Sequence, residues 1–477
     1  MNDKTQQSPD RASFAFAIKL IPGFQLLLDS ALMLINGYVL YYGMVFYSYK
    51  TADFYNAAIV FNWLLTTMLF YFAGLYQFES LVKFSRTVDR ILIAVATSMV
   101  FMIALAFAVK ISQVFSRAWL AAFIAANCFG LLTLRGIVGW LLGRLGKRKA
   151  IARNVAIYGT GAQLEALLSH FNASSPAFVK LSGVFTDDAM RSPKSAGFPD
   201  SGNLEDMINL VRQGDVDDIV LALPWADKDR VTQVVGKLRE LPTYVYLSAD
   251  TVGFSVPMRQ PPSYFQRLPF YEVVGKPLSG WDVVLKTVED YILATLLIIM
   301  VSPLLLIVAI LIKLDSPGPV FFKQKRLGFN NQPFDIYKFR SMTYQKVQPK
   351  KTEQAKRFDP RITRIGGILR RSSIDELPQL FNVLNGTMSL VGPRPHAIDH
   401  NEEYAQKIRG YFSRHRVKPG ITGLAQIKGF RGITDTIDKM EGRVKYDIEY
   451  ADTWSLMLDL KILVMTVLVT VSGKNAH

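Results

Sequence analysis

The chain has 477 residues, half of them hydrophobic, with a mean hydropathy of +0.19 and a formal net charge of +16. This length suits about three domains, and apolar residues in long runs indicate an integral membrane protein rather than a soluble one. The single cysteine, Cys128, excludes an intrachain disulfide and a disulfide-stapled extracellular fold. The positive charge requires no nucleic-acid partner, because cytoplasmic loops, anionic lipid and a phosphorylated substrate account for it more simply.

Four apolar runs within residues 1–145 are each close to the roughly 20 residues that a membrane-spanning helix needs. Buried core helices would need polar faces, which these runs lack. Lys and Arg number 3, 1, 3, 2 and 6 in the segments before, between and after the runs. This alternation predicts a cytoplasmic N-terminus and a cytoplasmic location for everything after the fourth helix. The runs are residues 21–47, 57–76, 91–109 and 118–134.

Residues 152–255 alternate short apolar strands with amphipathic helical stretches, which is typical of a Rossmann-like α/β domain with a parallel sheet. Gly159 and Gly161 fit the first two glycines of the dinucleotide fingerprint, but Leu164 stands where the third belongs. No acidic residue follows at about the expected 20 positions. We therefore expect a structural or regulatory domain, with an occupied dinucleotide site as the alternative. Residues 256–285 are predicted to be a linker.

A fifth apolar run, residues 291–312, has basic residues on both flanks, so both of its ends are expected to be cytoplasmic. Ser302-Pro303 lies at its centre, where proline frees the carbonyl of Ile299 and the serine hydroxyl can satisfy freed backbone groups. We predict a re-entrant membrane helix over residues 286–313, which breaks at Ser302-Pro303 and enters and leaves by one face. An ordinary kinked spanning helix is the alternative. Residues 454–471 are a candidate second anchor, whose fully apolar part, residues 462–471, is too short to span and is predicted to lie at the membrane interface.

Asp375 and Glu376 are adjacent carboxylates that follow a strongly basic segment. Residues 320–371 contain 14 Lys and Arg against 3 Asp and Glu. Pro378 predicts the start of a short helix directly after the pair, and Gly386 predicts its end. The start of a helix favours anions such as phosphate. Ser373 and Glu376 also have the spacing of a capping box, which requires no function. Pro378 weakens that alternative, because a helix begun at Ser373 would carry the ring in its second turn.

These features combine with four motifs into a pattern that resembles the bacterial sugar transferases, the monotopic polyprenyl-phosphate hexose-1-phosphate transferases. The whole chain is similar to the large form of that family, which starts exopolysaccharide or capsule synthesis on undecaprenyl phosphate. The resemblance implies an α-helical domain of four transmembrane helices over residues 1–145 and a mostly helical catalytic domain over residues 314–477. It also implies a multi-pass protein of the bacterial inner membrane whose catalytic domain faces the cytoplasm. The motifs are SPGPVFFKQKRLG from Ser316, YKFRSM from Tyr337, LRRSSIDELPQLFNVLNGTMSLVGPRP from Leu369 and KPGITGLAQIKGFRG from Lys418.

The resemblance implies that Asp375 attacks the β-phosphorus of a UDP-sugar, releases UMP and carries the sugar-phosphate until undecaprenyl phosphate attacks in turn. Glu376 is the implied ligand of a Mg²⁺ cofactor. Because an aspartate with an unperturbed pKa of about 3.9 is ionised at neutral pH, we expect no separate base. The implied phosphate-binding cations are Lys338, Arg370 and Arg394, with Arg340 as a weaker fourth and Arg361 and Arg364 as supporting charge.

The identity of the sugar depends on residues near the C-terminus. Leu424 replaces a tryptophan often found after GITG in glucose-transferring relatives, which leaves the sugar open. The tail that follows is most similar to the glucose-1-phosphate branch, so we favour UDP-glucose over UDP-galactose. Undecaprenyl phosphate and membrane lipid are the other expected partners, and a homo-oligomer stays an open alternative.

Two other functions are weighed against this one. A membrane-bound nucleotide-sugar dehydratase or epimerase is disfavoured, because it would need a Y-x-x-x-K motif and the chain contains none. A non-catalytic scaffold of a polysaccharide assembly complex is disfavoured because both carboxylates and the motif cations are retained.

Overall fold

The apolar runs of the sequence fold into long helices. The computed structural model describes residues 11–45, 52–174, 177–187, 201–248, 270–344, 359–396, 398–430 and 436–471. The chain divides into two units. The first consists of residues 1–155, 165–182 and 251–270, and the second consists of residues 156–164, 183–250 and 271–477.

The first unit contains one long helix for each of the four N-terminal apolar runs. All four are long and apolar enough to cross a membrane. A short fifth helix, α3, follows α2 in the chain. The helices are α1 (Arg11–Met44), α2 (Ala52–Phe72), α3 (Phe78–Val82), α4 (Val88–Ala108) and α5 (Arg117–Lys147).

A buried ion pair joins α1 to α5. Arg135 donates from Nη2 to Asp29 Oδ2 at 2.6 Å and from Nη1 to Leu75 O at 3.1 Å. Charges in an apolar environment are costly unless they are paired, so this pair fixes how the two helices pack. The charge count assigned Arg135 to the loop after the fourth run, which is wrong. Without Arg135 that loop still has five cations, so the alternation of basic and less basic loops is kept.

A five-stranded sheet with the strand order β2-β1-β3-β4-β5 confirms the predicted α/β domain. Strands β3 and β4 are parallel, with Asp218 opposite Tyr244. A Cβ added to Gly159 would clash with Ala222 O, so close approach of β1 and β3 explains this glycine without a ligand. The elements are β1 (Arg153–Gly159), α6 (Gly161–Ser174), β2 (Val179–Phe185), α7 (Leu204–Arg212), β3 (Asp218–Ala222), α8 (Lys228–Leu238), β4 (Tyr244–Ser248) and β5 (Phe270–Val274).

Strand β5 lies within residues 256–285, so the prediction of a linker is wrong for the described part of that segment. The strand hydrogen-bonds to β4 at the edge of the sheet. Residues 256–269 lie outside the described part of the chain.

Helix α9 (Trp281–Asp315) is continuous over 35 residues and contains Pro303. The sequence predicted that the helix breaks at Ser302-Pro303, and this is wrong, because the helix is not interrupted there. Pro303 has no N–H to donate to Ile299 O, but Ser302 Oγ donates to that carbonyl at 2.9 Å. The hydroxyl thus replaces the hydrogen bond that proline removes, as expected from the sequence, and the helix continues. A path that returns to the same face of the membrane stays a prediction.

The elements after α9 form a mostly helical domain in the described residues. Strands β6 and β7 are antiparallel, whereas β8 and β9 are a short parallel pair. Pro378 caps the short helix α11, and Gly386 follows its end with a φ of +74°, as the sequence predicts. The elements are β6 (Phe321–Leu327), β7 (Pro333–Phe339), α10 (Arg364–Ser372), α11 (Gln379–Leu384), β8 (Ser389–Val391), α12 (Ile398–Lys407), β9 (Gly420–Thr422), α13 (Leu424–Ile427), α14 (Ile437–Asp452) and α15 (Leu456–Val471).

Both halves of α9 pack against this one domain. Ala294, before the proline, shares a core cluster with Ile336 of β7. Val308 and Ile312, after the proline, share a second cluster with Phe339 of the same strand. One strand therefore contributes to the cores on both sides of Pro303.

Candidate active site

The carboxylate pair lies on a 3-10 turn, Ile374–Glu376, between α10 and α11. Ser373 ends α10 in the left-handed region, with a φ of +57°, so the chain turns sharply just before the pair. The Ser373 side chain makes no capping hydrogen bond. The capping box is therefore not formed, and the Glu376 side chain binds other groups.

Two cations hold Glu376. Lys338 Nζ on β7 lies 2.6 Å from Oε1. Arg394, in the loop after β8, donates from Nη2 to Oε1 at 2.5 Å and from Nη1 to Oε2 at 3.0 Å. Burial by itself raises the pKa of Glu376, but the charges of Arg394 and Lys338 outweigh it and hold that pKa well below its usual range. Glu376 is thus ionised, and two of the predicted site cations, Lys338 and Arg394, are its neighbours.

Asp375 has a different environment from its neighbour. Burial raises its pKa, the charge of Glu376 raises it further, and Lys338, Arg370 and Arg394 lower it, with a net value of about 6. The expectation of an unperturbed pKa is therefore wrong, although the group is still mostly ionised at neutral pH. No described residue donates a hydrogen bond to this carboxylate, so it is available to an incoming group.

Arg340, predicted to bind phosphate, makes its hydrogen bonds to the end of α9 and the residues after it, and none to the carboxylate pair in the described residues. Its guanidinium is buried and donates from Nη2 to Ile312 O at 3.2 Å and to Ser316 O at 2.5 Å. Nη1 donates to Pro317 O at 3.1 Å. The side chain therefore ties the C-terminal end of α9 to the end of β7.

Of the other predicted cations, Arg370 lies near Asp375, and Arg361 and Arg364 have other surroundings. Arg370, in the last turn of α10, is close enough to Asp375 to lower its pKa. Arg361 instead pairs with Asp359, with Nη2 2.6 Å from Oδ2. Arg364 is exposed at the start of α10. Arg370 thus stays with the site, whereas the ion pair of Arg361 is with Asp359 and Arg364 faces solvent.

The family model of the bacterial sugar transferases matches residues 281–473, and the model of a CoA-binding domain matches residues 71–249. The chain is 40% identical over 367 residues to the UDP-glucose:undecaprenyl-phosphate glucose-1-phosphate transferase of Escherichia coli (strain K12). The match covers 76% of each of the two chains. A Klebsiella pneumoniae protein of the same name is 36% identical over 448 residues, 92% of this chain and 94% of the relative. This chain belongs to the bacterial sugar transferase family.

The chain is accordingly an enzyme, a phosphoglycosyl transferase, as the resemblance of its motifs predicted. A further relative, the UDP-N-acetylgalactosamine-undecaprenyl-phosphate N-acetylgalactosaminephosphotransferase of Aeromonas hydrophila, is 42% identical over 188 residues. That match covers 39% of this chain and 44% of the relative. This chain is therefore similar to proteins that are named for different sugars.

Arg326 is a residue of this sugar transferase that the sequence motifs do not single out as functional. It lies on β6, and its Nη2 donates to Gln324 Oε1 at 2.6 Å. Burial lowers its pKa to about 10, Arg394 lowers it too, and Glu376 raises it, so its charge is close to the site. It forms no ion pair with a carboxylate in the described residues. The sequence signal that could have identified Arg326 was its position in the SPGPVFFKQKRLG motif.

Arg414 is a second residue that sequence reasoning missed. It is buried and donates from Nη2 to Arg394 O at 2.6 Å, and the same atom lies 2.7 Å from Asp447 Oδ2 on α14. Its Nη1 lies 2.7 Å from His396 Nδ1. Burial, together with the charge of Arg414, keeps the pKa of His396 well below its usual range, so this imidazole is neutral. Arg414 therefore fixes the backbone from which Arg394 extends.

The donor groups of the sugar transferase fit Mg²⁺. This ion prefers oxygen ligands and is commonly held by one or two carboxylates together with water and substrate phosphate oxygens. Glu376 supplies an ionised carboxylate, which a metal would share with Lys338 and Arg394. The described residues contain no group of three or more side chains suited to a metal, so the substrate would have to complete the site.

Leu424 does not line the carboxylate site. It is buried in a core cluster that includes Leu390 and Val391 of β8. The leucine at this position is thus explained by packing of the domain, and it gives no direct contact from which the sugar can be identified.

Proposed function

We propose that this enzyme transfers glucose-1-phosphate from UDP-glucose to undecaprenyl phosphate and so starts exopolysaccharide or capsule synthesis. The observation that carries the proposal is the pairing of an uncommitted, half-buried Asp375 with a Glu376 that Lys338 and Arg394 hold. The names of the relatives in Escherichia coli and Klebsiella pneumoniae support the same donor and acceptor.

In the first step, a carboxylate oxygen of Asp375 attacks the β-phosphorus of UDP-glucose. A bond forms from that oxygen to phosphorus, and the bond from the β-phosphorus to the bridging oxygen breaks. UMP leaves with the bridging oxygen, and glucose-1-phosphate stays on Asp375 as an acyl phosphate. No proton needs to be removed from the nucleophile, because Asp375 is mostly ionised at neutral pH.

In the second step, an oxygen of undecaprenyl phosphate attacks the same phosphorus. The bond from phosphorus to Asp375 breaks and regenerates the free carboxylate. The product is undecaprenyl diphosphate glucose. Because both steps bring an anion toward an anionic phosphorus centre, the cations Lys338, Arg370 and Arg394 are expected to stabilise the developing charge. Arg326 adds a fourth positive charge close to them.

We propose that Mg²⁺ is the cofactor and that Glu376 holds it. When bound, the ion would neutralise charge on the diphosphate and polarise its oxygens. Lys338 and Arg394 keep Glu376 ionised, as a ligand to a divalent cation must be. Removal of Mg²⁺ with a chelator should therefore stop UMP release.

We propose that α9 is re-entrant and that the catalytic domain faces the cytoplasm of the bacterium at its inner membrane. The two halves of α9 share cores with one strand, β7, on either side of Pro303. One folded domain that packs on both halves is difficult to reconcile with a helix whose two ends lie on opposite sides of a bilayer. A cytoplasmic face also gives the site access to a soluble UDP-sugar.

The test is UMP release by the purified protein with Mg²⁺, UDP-glucose and undecaprenyl phosphate. Asp375→Asn should abolish it, whereas Asp335→Asn, on β7 and half exposed, should leave it unchanged. Intact-mass measurement after exposure to UDP-glucose alone should show a hexose phosphate on the wild-type protein and none on Asp375→Asn. A panel of UDP-hexoses assigns the sugar, and absence of UMP with every donor would overturn the proposal.

A further inference from the structure

A cavity of about 230 Å³ adjoins the carboxylate turn. Glu376 forms part of its wall, next in the chain to the proposed nucleophile. Most of the remaining wall is hydrocarbon from α9, α11, β9 and α15. Its lining includes Leu297, Leu380, Ile421 and Leu463.

Most polar groups in this wall are already engaged, and Gln426 Oε1 is a buried acceptor without a hydrogen-bond partner in the described residues. Thr466 Oγ1 donates to Ile462 O at 2.7 Å, and the hydroxyls of Thr422 and Thr466 lie 2.6 Å apart. Glu376 is held by its two cations. Sugar hydroxyls and a uracil ring need polar partners when they are buried. Hydrocarbon is therefore the chemistry that matches the wall.

Two of the helices that wall the cavity also expose apolar side chains elsewhere on their surfaces. On α9, Leu296 and Met300 are exposed, and on α15, Val464 and Leu468 are exposed. Exposed apolar faces of this kind are typical of contact with lipid. A hydrocarbon chain from the membrane would thus meet the cavity beside surfaces suited to the same environment.

We propose that this cavity binds the isoprenoid segment nearest the phosphate of the acceptor lipid, and so brings that phosphate to Asp375. The inference rests on the proposed function, because it assigns the acceptor of the same site. The cavity is smaller than the roughly 300–1,000 Å³ of sites that enclose a whole small ligand. It therefore holds a short segment, and the rest of the chain stays in the membrane.

The test compares neighbouring leucines on α9. Leu297→Trp fills the cavity and should raise KM for undecaprenyl phosphate by about ten-fold or more, because buried methylene contacts are lost. KM for UDP-glucose should not change. Leu296→Trp places the same side chain on the exposed side and should behave as wild type. On α15, Leu463→Trp and its exposed neighbour Val464→Trp provide a second matched pair.

Thermal unfolding in detergent shows whether each variant is folded. If Leu297→Trp does not fold, the comparison of Leu463→Trp with Val464→Trp decides the test. Lining variants that match their exposed controls would overturn the inference. So would an equal rise in KM for UDP-glucose, which would assign the cavity to the donor. A wild-type protein that releases no UMP with any UDP-hexose would instead overturn the proposed function, and the two failures are therefore distinguishable.

Discussion

Lys286 on α9 lies 2.6 Å from Asp459 on α15, and both side chains are buried. Lys286 also lies 3.1 Å from Asp290, which accepts hydrogen bonds from Ser389 Oγ at 3.0 Å and from Leu390 N at 2.9 Å. The start of the membrane helix is thus joined by charge and by hydrogen bonds to both α15 and β8. The domain that carries the carboxylate pair is held to α9 by buried polar contacts as well as by apolar packing.

Lys286→Met should destabilise the protein strongly, because it leaves Asp459 and Asp290 buried without their cation. Removal of one partner of a buried ion pair typically costs about 3–5 kcal/mol of unfolding free energy. The measurement is the thermal unfolding midpoint in detergent micelles. Lys313→Met, at an exposed position near the other end of α9, is the control and should change the midpoint little. Equal midpoints for both variants would show that the cluster does not stabilise the domain.

UMP release should depend on the protonation of Asp375. In the proposed mechanism the group attacks as a carboxylate, and its pKa is raised to about 6. The rate should therefore be constant above neutral pH and fall about ten-fold per pH unit well below pH 6. Glu376 does not titrate in this range, because its pKa is held well below the usual value. His415 does not either, because burial and Arg414 lower its pKa to about 3.

This profile is best measured as a single turnover of UDP-glucose without the lipid, because the acceptor phosphate itself titrates at about pH 6. Lys338→Met removes a cation that lowers the pKa of Asp375. The fall in rate should then shift to higher pH. A profile that stays flat down to pH 5 in the wild type would contradict Asp375 as the nucleophile.

Arg340 gives a test of structural against catalytic roles within one motif. Arg340→Lys loses the branched contacts to Ile312 O, Ser316 O and Pro317 O, and should lower the free energy of unfolding by about 1.5–3 kcal/mol. KM for UDP-glucose should stay the same in the folded protein. The control variant is Arg361→Lys, because Arg361 pairs with the nearby Asp359. A raised KM with an unchanged unfolding midpoint would restore Arg340 to the phosphate site.

The different outcomes for Lys338 and Arg340 show where sequence reasoning stops. The two lie two residues apart in YKFRSM, and strand periodicity would put both on one face. Strand β7 ends at Phe339, so the alternation ends before Arg340, and its side chain turns to the carbonyls at the end of α9. A strand end of this kind depends on which segments pack beside it, and local patterns do not contain that information.

Contacts between distant segments limited the rest of the sequence-based prediction. Local rules identified Pro378, Gly386, the apolar helices and the hydroxyl of Ser302 that bonds to Ile299 O. Arg414 has partners 20 and 33 residues away in the chain, Arg394 and Asp447, and no local pattern joins them. The raised pKa of Asp375 has the same origin, because it follows from burial that only the folded domain creates.

The re-entrant path that we propose for α9, with the catalytic domain in the cytoplasm, predicts that both of its ends are cytoplasmic. Single cysteines at the exposed positions Asp282 and Lys313, in a Cys128→Ser background, should resist a membrane-impermeant thiol reagent in intact cells. Both should react once the inner membrane is permeabilised, which controls for accessibility. Labelling of one position alone in intact cells would show that α9 crosses the membrane, and labelling of both would contradict the cytoplasmic orientation.

Arg326 should contribute to binding of the donor diphosphate, because it brings positive charge beside Arg394 without a carboxylate of its own in the described residues. Arg326→Gln should raise KM for UDP-glucose by about ten-fold, equivalent to loss of one charge-assisted contact. Lys325→Gln, the exposed neighbour that faces Asp335 at 3.7 Å, is the matched control and should have no such effect. Arg326→Lys should restore part of the affinity if charge is what matters. The hydrogen bonds of Arg326 within the described residues are to Gln324 and, weakly, to Pro395 O. A large fall in the unfolding midpoint with unchanged KM would instead make it a structural residue.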